Sequence, residues 1–249
     1  MAVVHFNTAV DLGNYDYSAW FGASPTVHTA DQFVYVKNGQ TVTFDGHDFT
    51  YQPFLGGTVL VPNGGFITDI DGVIDGSQVF SIDGIDGVGG TGASVTAIRN
   101  AAISGDDDAI TNEFFGGNDA FYGSDGNDSL YGFGGRDKMR GGKGADTLNG
   151  GADVDRLYGG KGGDTFHFDS ITDTSKSKPD YIMDLENIDK IDLTDMGVLS
   201  LSGIKASYIA DRDVTRFTID TDGDRKADAA IFAAGDHTDY TIDASHFLI

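Results

Sequence analysis

The sequence predicts a mainly β protein in which a repeat-built coil sits between two other β segments. Three observations carry that prediction. An aspartate recurs every nine residues at 119, 128, 137, 146, 155 and 164. Outside this stretch, short alternating apolar and polar runs are punctuated by glycine and asparagine, as strands and turns require. The composition holds 36 Gly against 4 Pro and no Cys, so neither disulfides nor thiolate sites contribute.

Taken in order, residues 1–93 read as an antiparallel β domain, on runs such as FVYVKNG, TVTFDG, GTVLVPNGG and VFSIDG. Residues 94–104 follow a glycine-rich stretch and offer Ser94 as an N-cap, with Val95, Ile98 and Ala102 on one face, which predicts a short linking helix. The repeats fill 105–168. Residues 169–249 return to strand texture in YIMDLEN, DKIDL, TRFTID and AAIFAA and read as a β cap.

Each repeat fits G-G-x-G-x-D-x-U-x, with an apolar U two positions after the aspartate: Phe121, Leu130, Met139, Leu148, Leu157 and Phe166. Glycines at Gly117, Gly126, Gly135, Gly144 and Gly162 open backbone angles closed to other residues, so the chain can turn tightly and aim carbonyl oxygens at one point. The D-x-U that follows is a brief strand whose U faces inward. Two nonapeptides complete one coil, so unit n stacks on unit n+2, 18 residues later, in a right-handed parallel β-roll.

Carboxylates stacked at the inter-strand spacing of about 4.8 Å repel unless a cation lies among them. A hard divalent ion with flexible geometry suits carboxylates mixed with turn carbonyls, and calcium is that ion, whereas zinc favours nitrogen or sulfur. Pairing n with n+2 gives four sites: Asp119 with Asp137, Asp128 with Asp146, Asp137 with Asp155, and Asp146 with Asp164. Half-sites at the ends could add more, so about four or more Ca2+ ions are expected. One apolar side chain per unit is too little to order a glycine-rich ribbon, so ion binding must drive its folding.

The acidic excess, 39 Asp+Glu against 16 Lys+Arg for a formal charge of −23, argues against nucleic acid as a partner. No apolar run of about 18 residues predicts a membrane-spanning helix. The first residues lack the basic start and apolar stretch of a secretory signal.

The array resembles the RTX (repeats-in-toxin) proteins of Gram-negative bacteria, most closely in GGKGADTLNGG at 141–151 and YGGKGGDTFHFDS at 158–170. KPDYIMDLENIDKIDL at 178–193 is similar to the stretch after the last repeat in serralysin-type C-terminal domains. The resemblance implies type I secretion, with an uncleaved C-terminal signal and folding in calcium-rich surroundings outside the cell. It also implies that an aspartate beyond the last repeat closes the final site, a position matched by Asp180. The end, DASHFLI, sets Asp243 farther from the apolar residues than the family signal does.

Several units depart from the pattern. Asp153 stands for a glycine, Phe133 and Ser124 for second glycines, and Phe114 and Phe115 open the first unit. SGDDDAI at 104–110 reads as a degenerate earlier unit with Asp108 in the metal slot, although Asp108 precedes Asp119 by 11 residues. Arg136, Lys138, Arg140 and Lys143 interrupt the acidic array, either as a solvated face that moderates repulsion or as a contact for an acidic polysaccharide. DTDGDRKAD at 220–228 departs from an EF-hand loop in its glycine position and in Ile231 at position 12, leaving a turn or a weak calcium site.

No HExxH and no G-x-S-x-G occur, so the signatures of the RTX proteases and lipases are absent. Three functions remain on this sequence. The first is a non-enzymatic extracellular binding or matrix protein, and the second a polysaccharide hydrolase or lyase with its site in the N-terminal domain. The third is a self-associating surface-layer or biofilm component.

Overall fold

The computed structural model describes residues 115–240 and 242–249 in full, and from the earlier part the backbone of seven strands between residues 3 and 94. Two compact units divide the chain, a first that runs to Ala120 and a second that holds Phe121–Ile249.

In the first unit the strands are β1 (Val3–Phe6), β2 (Val27–His28), β3 (Gln32–Lys37), β4 (Gln40–Phe54), β5 (Val59–Ile74), β6 (Ser77–Asp83) and β7 (Ala93–Ser94). Their order is β1-β6-β5-β4-β3-β2, with β7 on β5, and every pairing is antiparallel. The long β4–β5 ribbon is broken by register shifts around Gly46 and Thr50. Bulges of this kind bend a ribbon too long to stay flat. Ser94, expected as a helix N-cap, is the second residue of β7. The helix expected after it, and Asp108, lie outside the described residues.

The second unit carries the coil. Its short strands are β8 (Ala120–Tyr122), β9 (Ser129–Tyr131), β10 (Lys138–Lys143), β11 (Thr147–Asn149), β12 (Arg156–Lys161), β13 (Thr165–His167), β14 (Asp180–Ile182) and β15 (Lys190–Asp192). They alternate between two sheets. One runs β8-β10-β12-β14 and the other β9-β11-β13-β15. The pairings are parallel and offset by 18 residues, as in Lys138 opposite Arg156, Thr147 opposite Thr165 and Thr147 opposite Ser129. After the last repeat the offset becomes 25, with Arg156 opposite Tyr181 and Thr165 opposite Lys190.

The interior between the sheets holds the predicted U residues. Phe121, Leu130, Met139, Leu148, Leu157 and Phe166 are all at most 2% exposed, and Ile182 and Ile191 extend the two rows. Side chains alternate along each strand, so the residues flanking each U face outward.

Beyond β15 the chain forms β16 (Ile204–Ile209), β17 (Val214–Ile219), β18 (Ala229–Ala234) and β19 (Phe247–Leu248). β16, β17 and β18 form an antiparallel meander. β18 then lies parallel to β14, and β19 parallel to β15, so the meander β18-β17-β16 prolongs the first sheet of the coil and β19 prolongs the second. Phe217, Tyr240 and Phe247 seal this end in edge-to-face contacts with ring centroids 5.6–6.0 Å apart. No described helix is long and apolar enough to cross a membrane.

Candidate metal centre

Two columns of aspartates run along the roll, each just ahead of a row of strands. Asp119, Asp137, Asp155 and Asp180 precede or open the strands of one sheet, and Asp128, Asp146, Asp164 and Asp189 those of the other. All eight are at most 3% exposed. Ionised carboxylates are costly to bury unless they are hydrogen-bonded, paired or bound to metal.

The hydrogen bonding follows one rule. The backbone N–H groups of Asp128, Asp137, Asp146, Asp155 and Asp164 each donate to Oδ1 of the aspartate one coil later. The distances are 2.8 Å for Asp128 to Asp146, 2.7 Å for Asp137 to Asp155 and 2.9 Å for Asp146 to Asp164. The same bond continues past the repeats, from Asp155 to Asp180 at 2.8 Å and from Asp164 to Asp189 at 2.9 Å. One oxygen of each carboxylate thus ties coil to coil. In Asp146, Asp155 and Asp164 the other oxygen, Oδ2, is buried without a hydrogen-bond partner.

Those Oδ2 atoms press against the first glycine of their own unit. A Cβ at Gly141, Gly150 or Gly159 would lie 2.3, 2.3 or 2.4 Å from Oδ2 of Asp146, Asp155 or Asp164. At Gly123 and Gly132 it would also strike the carbonyl oxygens of Gly141 and Gly150 in the next coil, at 2.2 and 2.4 Å. These first glycines are site residues that the sequence reading passed over. Their signal was present in the repeat pattern, but their role is closeness to a carboxylate rather than a special backbone angle.

Of the five glycines singled out from sequence, Gly135, Gly144 and Gly162 adopt left-handed φ values of 110°, 123° and 134°. Gly117 lies 3.9 Å, at its Cβ direction, from Oδ1 of Asp119. Phe133 (φ 66°) and Asp153 (φ 83°) hold the left-handed backbone without being glycine, a strain of order 1 kcal/mol or more each.

Burial drives the electrostatics. It pushes the carboxyls of Asp146 and Asp189 up to about 6, and that of Asp155 up to about 7, against the partial relief of their backbone hydrogen bonds. For Asp180, burial and the neighbouring Asp155 raise it to about 9. Carboxylates so reluctant to ionise mark a place built for another positive charge. Asp184 accepts from Gly159 N–H at 2.9 Å and Gly160 N–H at 3.2 Å, adding an acid that the sequence reading did not name.

A donor set made only of carboxylate and backbone oxygens, with buried carboxylate oxygens to spare, fits a hard cation of flexible coordination. Residues 115–148 and 131–166 match the family model of the RTX calcium-binding nonapeptide repeat, in 4 copies. Residues 115–166 are RTX calcium-binding repeats. Two solved structures are similar, both subunits of a mannuronan C5-epimerase from Azotobacter vinelandii. AlgE6R3 is 27% identical, covering 52% of this chain and 77% of that one, with a TM-score of 0.44. AlgE6R2 is 27% identical, covering 53% and 88%, with a TM-score of 0.44. No curated protein matches the chain.

The ion taken by RTX repeats is calcium, and four copies imply several ions. In this chain Asp146, Asp155 and Asp164 would hold them with the oxygens that lack hydrogen bonds. Among the other sequence candidates, Asp220, Asp222 and Asp224 converge in the turn between β17 and β18, with ligand oxygens within 4.8 Å of one another. Their carboxylates already accept from the turn's own N–H groups, as in Gly223 to Asp220 at 2.7 Å. The side chains of residues 1–93, where the enzyme reading places its site, lie outside the described residues.

Proposed function

We propose that this chain is a secreted, calcium-dependent binding or matrix protein without enzymatic activity, exported by a type I machinery and folded by calcium outside the cell. The observation that carries the reading is the pair of aspartate columns, buried and short of hydrogen bonds in Asp146, Asp155 and Asp164. Such columns are unfavourable without cations and stable with them, so folding is coupled to the high calcium of the exterior. The proposed metal ligands are Asp119, Asp128, Asp137, Asp146, Asp155 and Asp164, with Asp180 and Asp189 closing the last coils. The proposed domains are the segments expected from the sequence, with residues 169–249 as cap and export signal.

Calorimetry with calcium, followed by far-UV circular dichroism, tests the folding part: several ions should bind as β structure forms. Export from a Gram-negative host with and without a type I exporter tests the second part. Accumulation outside the cell in the exporter's absence would contradict it.

An acidic polysaccharide is the partner we favour. Lys138 and Arg156 stand opposite each other on neighbouring strands, as do Arg140 and Tyr158, on the outer face of the first sheet. Arg140 stacks on Tyr158 at 4.7 Å with Lys138 at 5.8 Å, and Arg212 on Phe232 at 5.0 Å. Cations over rings, in a chain of charge −23, make a local platform for an anionic, ring-containing polymer. Binding of a uronate polymer, weakened by salt and by Arg140→Ala, tests it. Release of new chain ends from that polymer would favour the enzyme reading instead.

A further inference from the structure

On the outer face of the second sheet, away from both aspartate columns, position nine of alternate repeats forms its own row. Tyr131, Asn149 and His167 stand there in register, followed by Asp192 on β15. Three carboxylates gather on the His167 ring. Nε2 lies 2.8 Å from Asp169 Oδ1 and 3.3 Å from Asp195 Oδ2, and Nδ1 lies 3.2 Å from Asp192 Oδ2.

We infer that His167 Nε2, Asp169 and Asp195 form a separate site for a borderline divalent cation of the zinc type. Three features of the geometry carry this. Two carboxylate oxygens converge on one ring nitrogen, which a single N–H cannot serve equally. The other nitrogen meets a carboxylate, and a metal-bound histidine donates its second N–H to just such a group. Finally, the ligands are themselves held. Asp169 Oδ2 accepts from Tyr131 Oη and, at 2.9 Å, from Asn149 Nδ2. Asp192 Oδ1 accepts from Thr194 Oγ1 at 2.8 Å and Thr194 N–H at 3.0 Å, leaving Oδ2 for the ring.

The dimensions suit a small ion. Tetrahedral ligands at about 2.0–2.2 Å from a metal lie about 3.4 Å apart. The Nε2 to Asp195 distance of 3.3 Å already meets that, and the 2.8 Å to Asp169 would open by a few tenths of an ångström. All three ligand atoms lie within 4.8 Å of one another. Asp195 is 64% exposed, so a fourth ligand can come from water or a partner. The nitrogen donor separates this site from the all-oxygen calcium columns, because borderline ions prefer imidazole and calcium does not. A proton is the metal's competitor: burial lowers the His167 pKa, but hydrogen bonds to Asp169 and Asp192 outweigh it and raise it.

The test uses the full chain without a histidine tag, saturated with calcium to fill the columns, and titrated with Co2+ as a spectroscopic stand-in for Zn2+. One equivalent should bind with a visible ligand-field band that Zn2+ displaces. His167→Gln should abolish that band while calcium stoichiometry stays unchanged. Asp192→Asn should weaken binding about 10–100-fold, as loss of a supporting carboxylate does. Asp195→Asn, at an exposed position, keeps the test valid should His167→Gln perturb folding, and should also weaken binding at least about 10-fold. No band in the parent chain, or an equal band in both His167→Gln and Asp195→Asn, overturns the site and leaves an ion-paired imidazolium only.

Discussion

Replacing Asp155 by Asn should change stability in opposite directions with and without calcium. Asp155 is fully buried, accepts Asp137 N–H at 2.7 Å on Oδ1, and has no hydrogen bond at Oδ2. Burial raises its carboxyl from 3.8 to about 7. At about 1.4 kcal/mol per pKa unit, ionising it in the calcium-free fold at neutral pH costs about 4 kcal/mol. Asparagine keeps the acceptor and removes the charge, but buries an amide donor at a cost of about 1–3 kcal/mol. The calcium-free fold should therefore gain roughly 1–3 kcal/mol. With calcium saturating, the variant loses a charged ligand and should melt lower and bind fewer ions. The assay is folding of the calcium-free chain by trimethylamine N-oxide, which favours burial, set beside calcium calorimetry. A destabilisation of equal size in both states would refute the reasoning and make Asp155 a plain hydrogen-bond acceptor.

Further outcomes follow from the same geometry. Gly150→Ala puts a Cβ 2.3 Å from Asp155 Oδ2 and should cost about 1–3 kcal/mol or more of calcium-loaded stability, read as melting temperature. Gly134→Ala, where nothing lies within 4 Å, should be near neutral in the same assay. The raised carboxyls of Asp146, Asp155 and Asp189 make the neutral form the one the calcium-free fold prefers. That stability is present below about 3.8 and is lost as pH rises through about 6 to 7, so circular dichroism of the chelated chain should show more β structure at pH 4.5 than at 7.5. Calcium affinity should fall over the same decrease in pH, because the ion requires the anions. Leu157→Ala, at a fully buried position, should cost about 2–5 kcal/mol in the calcium-loaded state by chemical denaturation.

Much of this design can be read from the chain itself. A period of nine fixes which residues turn and which face inward, and a coil of two units fixes the 18-residue register seen between β10 and β12 and between β11 and β13. What a periodic pattern cannot carry is an interruption. After Asp164 the chain inserts seven extra residues, and the ladder resumes at Asp180 and Asp189 with a 25-residue offset. The signal for Asp189 was present: D-x-U recurs as Asp180-Tyr181-Ile182 and, nine residues on, Asp189-Lys190-Ile191.

The division of labour between the two carboxylate oxygens was hidden for another reason. Sequence shows that carboxylates stack, but only the strand geometry shows a backbone N–H reaching the oxygen of the next coil. The parallel return of β18 and β19 onto the roll depends on contacts 51 and 56 residues away in sequence, as Asp180 with Ile231 and Ile191 with Phe247. Local propensity does not encode such pairings.

Amide hydrogen exchange across residues 115–192 of the full chain, with calcium and after chelation at neutral pH, addresses the central claim directly. With calcium, the N–H groups of Asp128, Asp137, Asp146, Asp155 and Asp164, each bonded to a carboxylate one coil on, should be protected. After chelation they should exchange like an unfolded chain. Protection that survives complete removal of calcium would contradict the account.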